Sequence, residues 1–268
     1  MIRIFSDIHY GDKASGVVDL KQLLPLFEGT EHVILNGDTI DTRIGPNPAK
    51  TDRERAEVTR FLTSMKLPVS CITGNHDPDI SDLHHLELAN GQIVVMHGDL
   101  AFDNIVPWGK DAPLLKSQIT DALALFKEPI SMEQKHQVYR KISKALIQGH
   151  QAEKNVLKYA ALFLRDTAWP PWRLIYMLNA WRDMPSKIAH LITQERPAAR
   201  YVITGHTHWP GFWTTRQGVT VINTGSFCPP LGCACVEITQ TKLTVRQVIR
   251  KKKQYYPGKQ LYEFALAH

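Results

Sequence analysis

Asp, Asn and His recur in five short blocks of this chain: Asp7-Ile8-His9, Gly37-Asp38, Gly74-Asn75-His76-Asp77, His97-Gly98 and Gly205-His206-Thr207-His208. Their side chains offer oxygen and imidazole nitrogen donors. Such a mixed set suits Mn2+, Fe2+, Zn2+ or Co2+ better than Ca2+, which prefers all-oxygen cages. Asp7 and His9 stand two apart, so in an extended chain both point to one side and can share an ion. His206 and His208 repeat that spacing. Glycines before Asp38, Asn75 and His206 allow tight turns without Cβ clashes. Each block alone is an ordinary turn or capping pair. Their conjunction and order point to a single site holding two metal ions.

Four of the blocks directly follow a short apolar run, which predicts ligands held at strand ends. Residues 1–6, 32–36 and 69–73 read as buried strands. Between the last two, Ala56, Val58, Phe61, Leu62 and Met65 recur at helical spacing within Thr51 to Lys66. A β-α-β rhythm follows, with helices covering a sheet. Leu83 to Leu88 turns at Asn90-Gly91 into Gln92 to Met96, a hairpin signal. From about Phe102 to Pro197 strand character is slight, and residues 103–197 read as a helical insertion, or cap, within a single domain spanning 1–268. Ser131 with Gln134 makes a capping box for a helix whose face carries Val138, Ile142, Ala145 and Leu146, with Gly149 suited to its C-cap. A second helix is expected over Glu153 to Arg165. A third is expected from about Pro171 to Arg182, stopping before Pro185. Strands resume at Arg200 to Thr204, Val219 to Asn223, Ala234 to Ile238 and Lys242 to Ile249.

The bulk numbers set outer bounds. The chain has 268 residues, 43% of them apolar, enough for one large core. No stretch is long and apolar enough to span a bilayer. The N-terminus enters a strand directly, with no basic leader, so the chain reads as soluble and cytoplasmic. Cys228, Cys233 and Cys235 lack paired CxxC arms and read as small buried thiols rather than a zinc site. The net charge of +6 permits an anionic partner without selecting one. Arg250-Lys251-Lys252-Lys253 reads as a solvated surface, or as a contact for phosphate-rich or anionic membrane surfaces.

The blocks together resemble the pattern of the calcineurin-like metallophosphoesterase superfamily: DxH, GDxxD, GNH(D/E), H and GHxH, here spanning residues 7 to 208. The resemblance implies a four-layer α-β-β-α sandwich with the site at one end of two sheets. It implies that one metal takes Asp7, His9, Asp38 and His208, and the other Asp38, Asn75, His97 and His206, with Asp38 bridging. Mn2+ is the first choice of ion. Two such ions activate a water and clamp a phosphoryl group. His76 would be no ligand; by resemblance it sits near the leaving-group oxygen, as a proton donor or transition-state hydrogen bonder. Asp77 would orient His76 and favour its protonated form, or serve only as a turn residue. Asp41 would hold a ligand imidazole or, equally, make a turn.

The substrate is less explicit, because it depends on what surrounds the metals. The second and third helices of the insertion carry many apolar residues with Arg165, Arg173 and Arg182 interleaved. They read as a hairpin packing its own core, or as an apolar groove with a basic rim. The second reading resembles the cap of UDP-2,3-diacylglucosamine hydrolases, and implies a lipid-linked pyrophosphate substrate and peripheral contact with the inner membrane. This chain departs from those enzymes at His76, where they commonly carry Arg. Other readings are a nucleotide or nucleic-acid phosphodiesterase, a phosphoprotein phosphatase and, last, a non-catalytic scaffold.

Overall fold

Short runs of Ile, Val and Leu with strict side-to-side alternation build two sheets. The computed structural model describes residues 1–148, 155, 157–158, 161–162, 165 and 169–266. Strands β1 (Ile2–Phe5), β2 (His32–Asn36) and β3 (Val69–Ile72) pair in parallel. Antiparallel β9 (Ala234–Ile238), β10 (Lys242–Lys251) and β11 (Gln254–Ala265) complete a six-stranded sheet of order β11-β10-β9-β1-β2-β3. The second sheet has five strands, ordered β4-β5-β6-β8-β7. These are β4 (His85–Leu88), β5 (Ile93–Met96), β6 (Tyr201–Thr204), β7 (Gly211–Thr214) and β8 (Thr220–Asn223). β5, β6 and β8 run parallel.

Alternation along each strand sorts residues into three cores. Ile4, Ile34 and Ile72 face Ile93, Val95, Ile203 and Ile222 between the sheets. Phe5, Val33 and Leu35 point the other way, onto the 3-10 turn Leu20–Leu26 and helix α1 (Pro48–Thr63). Val94, Met96, Val202 and Val221 meet helix α4 (Trp172–Glu195) through Met184, Ile188 and Ile192. The result is four layers, helix–sheet–sheet–helix. Both sheets are buried on both faces, which explains why their central strands read as continuous apolar runs.

Between β5 and β6 the described secondary structure is helical: the short 3-10 turn Asp99–Ala101, α2 (Ala112–Leu123), α3 (Met132–Ala145) and α4. α3 starts as the capping box requires, with Ser131 accepting from Gln134 N and Gln134 accepting from Ser131 N. α3 ends at Ala145 with Leu146 as its C-cap, ahead of the expected cap Gly149, which lies outside the described residues, as does most of the helix expected over Glu153 to Arg165. α4 does not stop before Pro185 but runs through it to Glu195. A proline inside a helix costs about 3 kcal/mol, whereas burying Met184, Ile188 and Ile192 contributes about 1.5–3 kcal/mol each, so packing wins.

Strands β7 and β11 are additions to the sequence reading. β11 holds Pro257 and Gly258, which a sheet tolerates at an edge, and its pairing with β10 shifts register near Val245 to Val248. The basic run Arg250 to Lys253 is the exposed tip of this hairpin, with Lys252 and Lys253 at positive φ and the Arg250 guanidinium 5.5 Å from the Tyr255 ring centre. The cysteines are free thiols, and burial pushes Cys71, Cys228 and Cys235 up to about 12. No helix among the described residues is long and apolar enough to cross a membrane.

Candidate metal centre

Parallel pairing places the carboxyl ends of β1, β2, β3, β5 and β6 at one end of the sandwich. The chain leaves each strand there into one of the five blocks. Asp7, His9, Asp38, His206 and His208 all sit at positive φ, between 50° and 68°. Non-glycine residues reach that region only under local strain, so surrounding contacts must hold them there. They do: Asp7 N donates to Gly37 O at 3.1 Å, His9 N to Asp38 O at 2.9 Å, and the Asp7 carboxylate accepts from His206 N at 3.1 Å. Two of the preceding glycines are required by space rather than by φ. A Cβ at Gly74 would lie 2.2 Å from Asp38 Oδ1, and one at Gly205 would lie 2.1 Å from Asp7 Oδ2.

The ligating atoms converge. Asp7, His9 and His208 can hold one ion, and Asp38, His97 and His206 another. His208 Nε2 lies 3.2 Å from Asp7 Oδ1 and 3.1 Å from His9 Nε2. His9 Nε2 lies 3.8 Å from both Asp7 Oδ1 and Asp38 Oδ2. On the other side, His97 Nε2 is 3.3 Å from Asp38 Oδ2 and 3.3 Å from Asn75 Oδ1, and His206 Nδ1 is 2.8 Å from the same Asn75 oxygen. All seven are buried except His208, whose side chain is 34% exposed and marks the open side.

Backbone carbonyls decide where two imidazole protons sit. His97 Nδ1 faces Asn36 O at 3.0 Å, and His206 Nε2 faces Ile105 O at 2.8 Å. A carbonyl only accepts, so those nitrogens carry the hydrogens. His206, held neutral, then points a bare lone pair at Asn75 Oδ1, and His97 Nε2 faces Asp38 Oδ2, where a cation would displace its proton. Oxygen and nitrogen lone pairs facing one another across about 3 Å are a poor hydrogen-bond set and a good cation set.

Electrostatics agree. Burial alone would raise Asp7 and Asp38, yet the surrounding histidines hold both well below the carboxylate range. Burial opposes charge on His9, but Asp7 and Asp38 outweigh it and lift the ring to about 9. Asp38 likewise raises His97 against its burial, while burial and then His97 push His206 down to about 3. The pocket demands positive charge near its two carboxylates.

His76 sits beside this group. Its Nε2 lies 4.0 Å from Asp38 Oδ2, and its ring meets that of His9 edge-on at 4.8 Å. Asp77 does not orient it. The Asp77 oxygens accept from the backbone amides of Asp38, Thr39 and Gly74 at 2.7–2.9 Å, tying the second block to the third. His76 Nδ1 instead meets Arg43 Nη2 at 2.9 Å and Asp41 Oδ2 at 3.3 Å, with Arg43 and Asp41 in a bidentate pair. Asp41 therefore reaches His76 through Arg43 and holds no ligand imidazole among the described contacts. Burial and then Arg43 lower the His76 pKa, the opposite of the expected protonated form.

Sequence reading missed Arg43. It also missed Asn36, which fixes His97 through its carbonyl and joins the sheets by donating to Met96 O at 2.9 Å and Ile203 O at 3.2 Å. Asn36 is the last residue of β2 and was readable only as a strand end. Phe102 and Trp108 pack their rings 5.8 and 5.7 Å from that of His206. Behind Phe102 opens a cavity of about 610 Å3, whose walls include Trp172, Tyr176, Lys110, Lys116, Arg173 and Lys187.

The sequence profile of the calcineurin-like phosphoesterase superfamily domain matches residues 1–241. Among solved structures the chain is similar to a dimetal phosphatase from Danio rerio, with 14% identity over 99% of this chain and 98% of that one, at a TM-score of 0.48. It is similar to a conserved uncharacterised protein, a predicted phosphoesterase, from Streptococcus pneumoniae, with 16% identity over 98% and 96% of the chains and a TM-score of 0.37. It is also similar to Vps29 complexed with zinc from Entamoeba histolytica, with 13% identity over 99% of each chain and a TM-score of 0.39. No curated protein matches the chain.

Proposed function

The chain belongs to the calcineurin-like phosphoesterase superfamily, and we propose from that premise that it hydrolyses phosphoesters at a site for two divalent cations. Asp7, His9, Asp38 and His208 would hold one, and Asp38, Asn75, His97 and His206 the other. The observation that carries this is the convergence of carboxylate, amide and imidazole atoms, with Asn36 O and Ile105 O fixing the far nitrogens of His97 and His206 so that the near ones face Asp38 and Asn75. Mn2+ is the first candidate for a mixed oxygen and imidazole set, with Fe2+, Zn2+ and Co2+ as alternatives. Such a pair of ions supplies a hydroxide-like nucleophile near neutral pH and offsets phosphoryl charge.

The protein's own part in the reaction centres on His76. Arg43 has only N–H donors, so its contact with Nδ1 supports a neutral ring carrying its hydrogen on Nε2, which faces the carboxylates. We assign His76 as a neutral hydrogen-bond donor to the leaving-group oxygen, rather than as an imidazolium acid. Asp77 is a buried tie between loops.

For the substrate we favour a phosphodiester or pyrophosphate carrying an apolar group, a lipid-linked one included. Support comes from the cavity behind Phe102, which joins apolar walls to Lys110, Lys116, Arg173 and Lys187. Trp172 and Tyr176, exposed on the first half of α4, supply aromatic wall to that cavity. The insertion, residues 103–197, would then recognise the substrate from beside the metals.

The test is the Asp38→Asn variant on a simple aryl phosphate diester with added Mn2+. Loss of turnover together with loss of bound metal is expected. Full activity in that variant would refute the proposal. A screen of lipid pyrophosphates, UDP-sugars, nucleotides, phosphopeptides and single-stranded DNA then ranks substrates, and a preference for DNA or phosphopeptide would overturn the apolar reading.

A further inference from the structure

The helical insertion grips the two loops that flank His76. One loop, residues 41–45, brings Asp41 and Arg43 to the His76 ring. Gln148, just beyond α3, holds that loop with three hydrogen bonds. Its side-chain Nε2 donates to Asp41 O and Arg43 O, each at 3.2 Å, and its backbone N donates to Ile44 O at 2.7 Å. The other loop, residues 78–82, follows His76 and Asp77 directly. Arg140 on α3 holds it, donating from Nε to Pro78 O at 2.6 Å, from Nη2 to Ser81 O at 3.0 Å and from Nη1 to Asp82 Oδ1 at 2.8 Å.

The loops are also fastened to each other, through Thr42 N to His76 O at 2.8 Å and the Thr42 hydroxyl to Asp79. Apolar packing does little at the outer end: Ile44 and Ile147 form a bridge yet are 60% and 71% exposed. Among the described residues, the contacts that hold the 41–45 loop on that side are the hydrogen bonds from Gln148. At Gly45 the approach is so close that a Cβ would lie 2.2 Å from the Gln148 amide oxygen.

We propose that α3 and residues 146–148 form a clamp that sets the position of His76, with Gln148 and Arg140 as positioning residues. The insertion thus acts on the reaction through the leaving-group side, whatever substrate it recognises elsewhere. This rests on the assignment of His76 to the leaving-group oxygen. A displacement of about 1 Å at such a donor reduces turnover about a hundredfold at most, and only where the leaving group needs help.

The experiment uses the full-length, Mn2+-loaded protein and two diesters of one phosphate, one with an activated nitrophenyl leaving group and one with an alkyl leaving group. Gln148→Glu keeps the shape but cannot donate. Gly45→Ala pushes the Gln148 amide away from the opposite side. Arg140→Met releases the second loop. Each should lower kcat for the alkyl ester about tenfold or more, leave the activated ester within about twofold, and leave KM and metal content unchanged. An equal fall on both esters, or no fall in any of the three, overturns the clamp. His76→Ala run alongside separates the two levels. If it shows the alkyl-ester bias and the clamp variants do not, the clamp alone fails. If it shows no such bias, the assignment of His76 fails and the clamp with it.

Discussion

His97 and His206 each commit one ring nitrogen to a main-chain carbonyl and turn the other toward an oxygen that can also only accept. In Gly74→Ala the new methyl lands 2.2 Å from Asp38 Oδ1 and 2.5 Å from Asp38 N, displacing the shared carboxylate. Metal content, measured by elemental analysis, and turnover should fall together; unchanged metal content would show that Asp38 is not held by that contact. In His76→Ala, hydrolysis of an alkyl ester should slow by about a hundredfold or more and that of an activated aryl ester far less. Equal losses would count against leaving-group assistance. The seven ligand candidates were legible because Asp, Asn and His stand out at the ends of apolar runs. Arg43 was not legible, since nothing in its local sequence separates it from a surface arginine. Of the two roles open to Asp77, orienting His76 or making a turn, adjacency in sequence to His76 suggested the first, while the fold turns its oxygens to the backbone amides of Asp38, Thr39, Ile40 and Gly74.

Helix α3 is joined to β4 through a stack of imidazoles at the element scale. The His136 ring lies 5.2 Å from that of His84 and 5.7 Å from that of His85, nearly parallel to both. His136 Nε2 and His85 Nδ1 have no hydrogen-bond partner among the described residues. Burial, then the neighbouring histidines, push His136 down to about 3. Arg140, Arg196, Glu133 and Glu87 surround the stack. A histidine with a lowered folded pKa is protonated first in the unfolded chain. Its cost is absent above about pH 6.5 and grows as pH falls, by about 1.4 kcal/mol per unit, until the folded pKa is reached. Urea midpoints should therefore drop between pH 6.5 and 4, and His136→Phe should flatten that drop. Identical slopes for both proteins would sink the idea. The start of α3 was legible from its capping box, whereas α4 was cut short at Pro185 because local propensity carries no information about the sheet that packs on it. The turn at Lys252-Lys253 lacks the Asn or Gly that normally announces a hairpin, so β11 went unread.

The whole molecule is a double-sheet sandwich whose parallel strands deliver all five blocks to one end. That much was legible, because the order of apolar runs and blocks sets both the layers and the site. The substrate was not, since a cavity is a property of packed elements and not of any one segment. Two cations bound only by the folded chain should stabilise it as a unit. With free Mn2+ at a hundredfold excess over its Kd, each site adds about 2.7 kcal/mol. Metal-stripped protein should melt at a lower temperature and recover on adding Mn2+, and a melting curve indifferent to Mn2+ would mean that the ion does not select the folded state. The most direct test of the central claim is a titration of metal-stripped protein with Mn2+, following bound metal and aryl phosphodiester turnover in the same samples. Two equivalents should bind per chain, with turnover appearing as the second site fills. Full turnover in the stripped protein, or failure to bind either equivalent, would contradict the account.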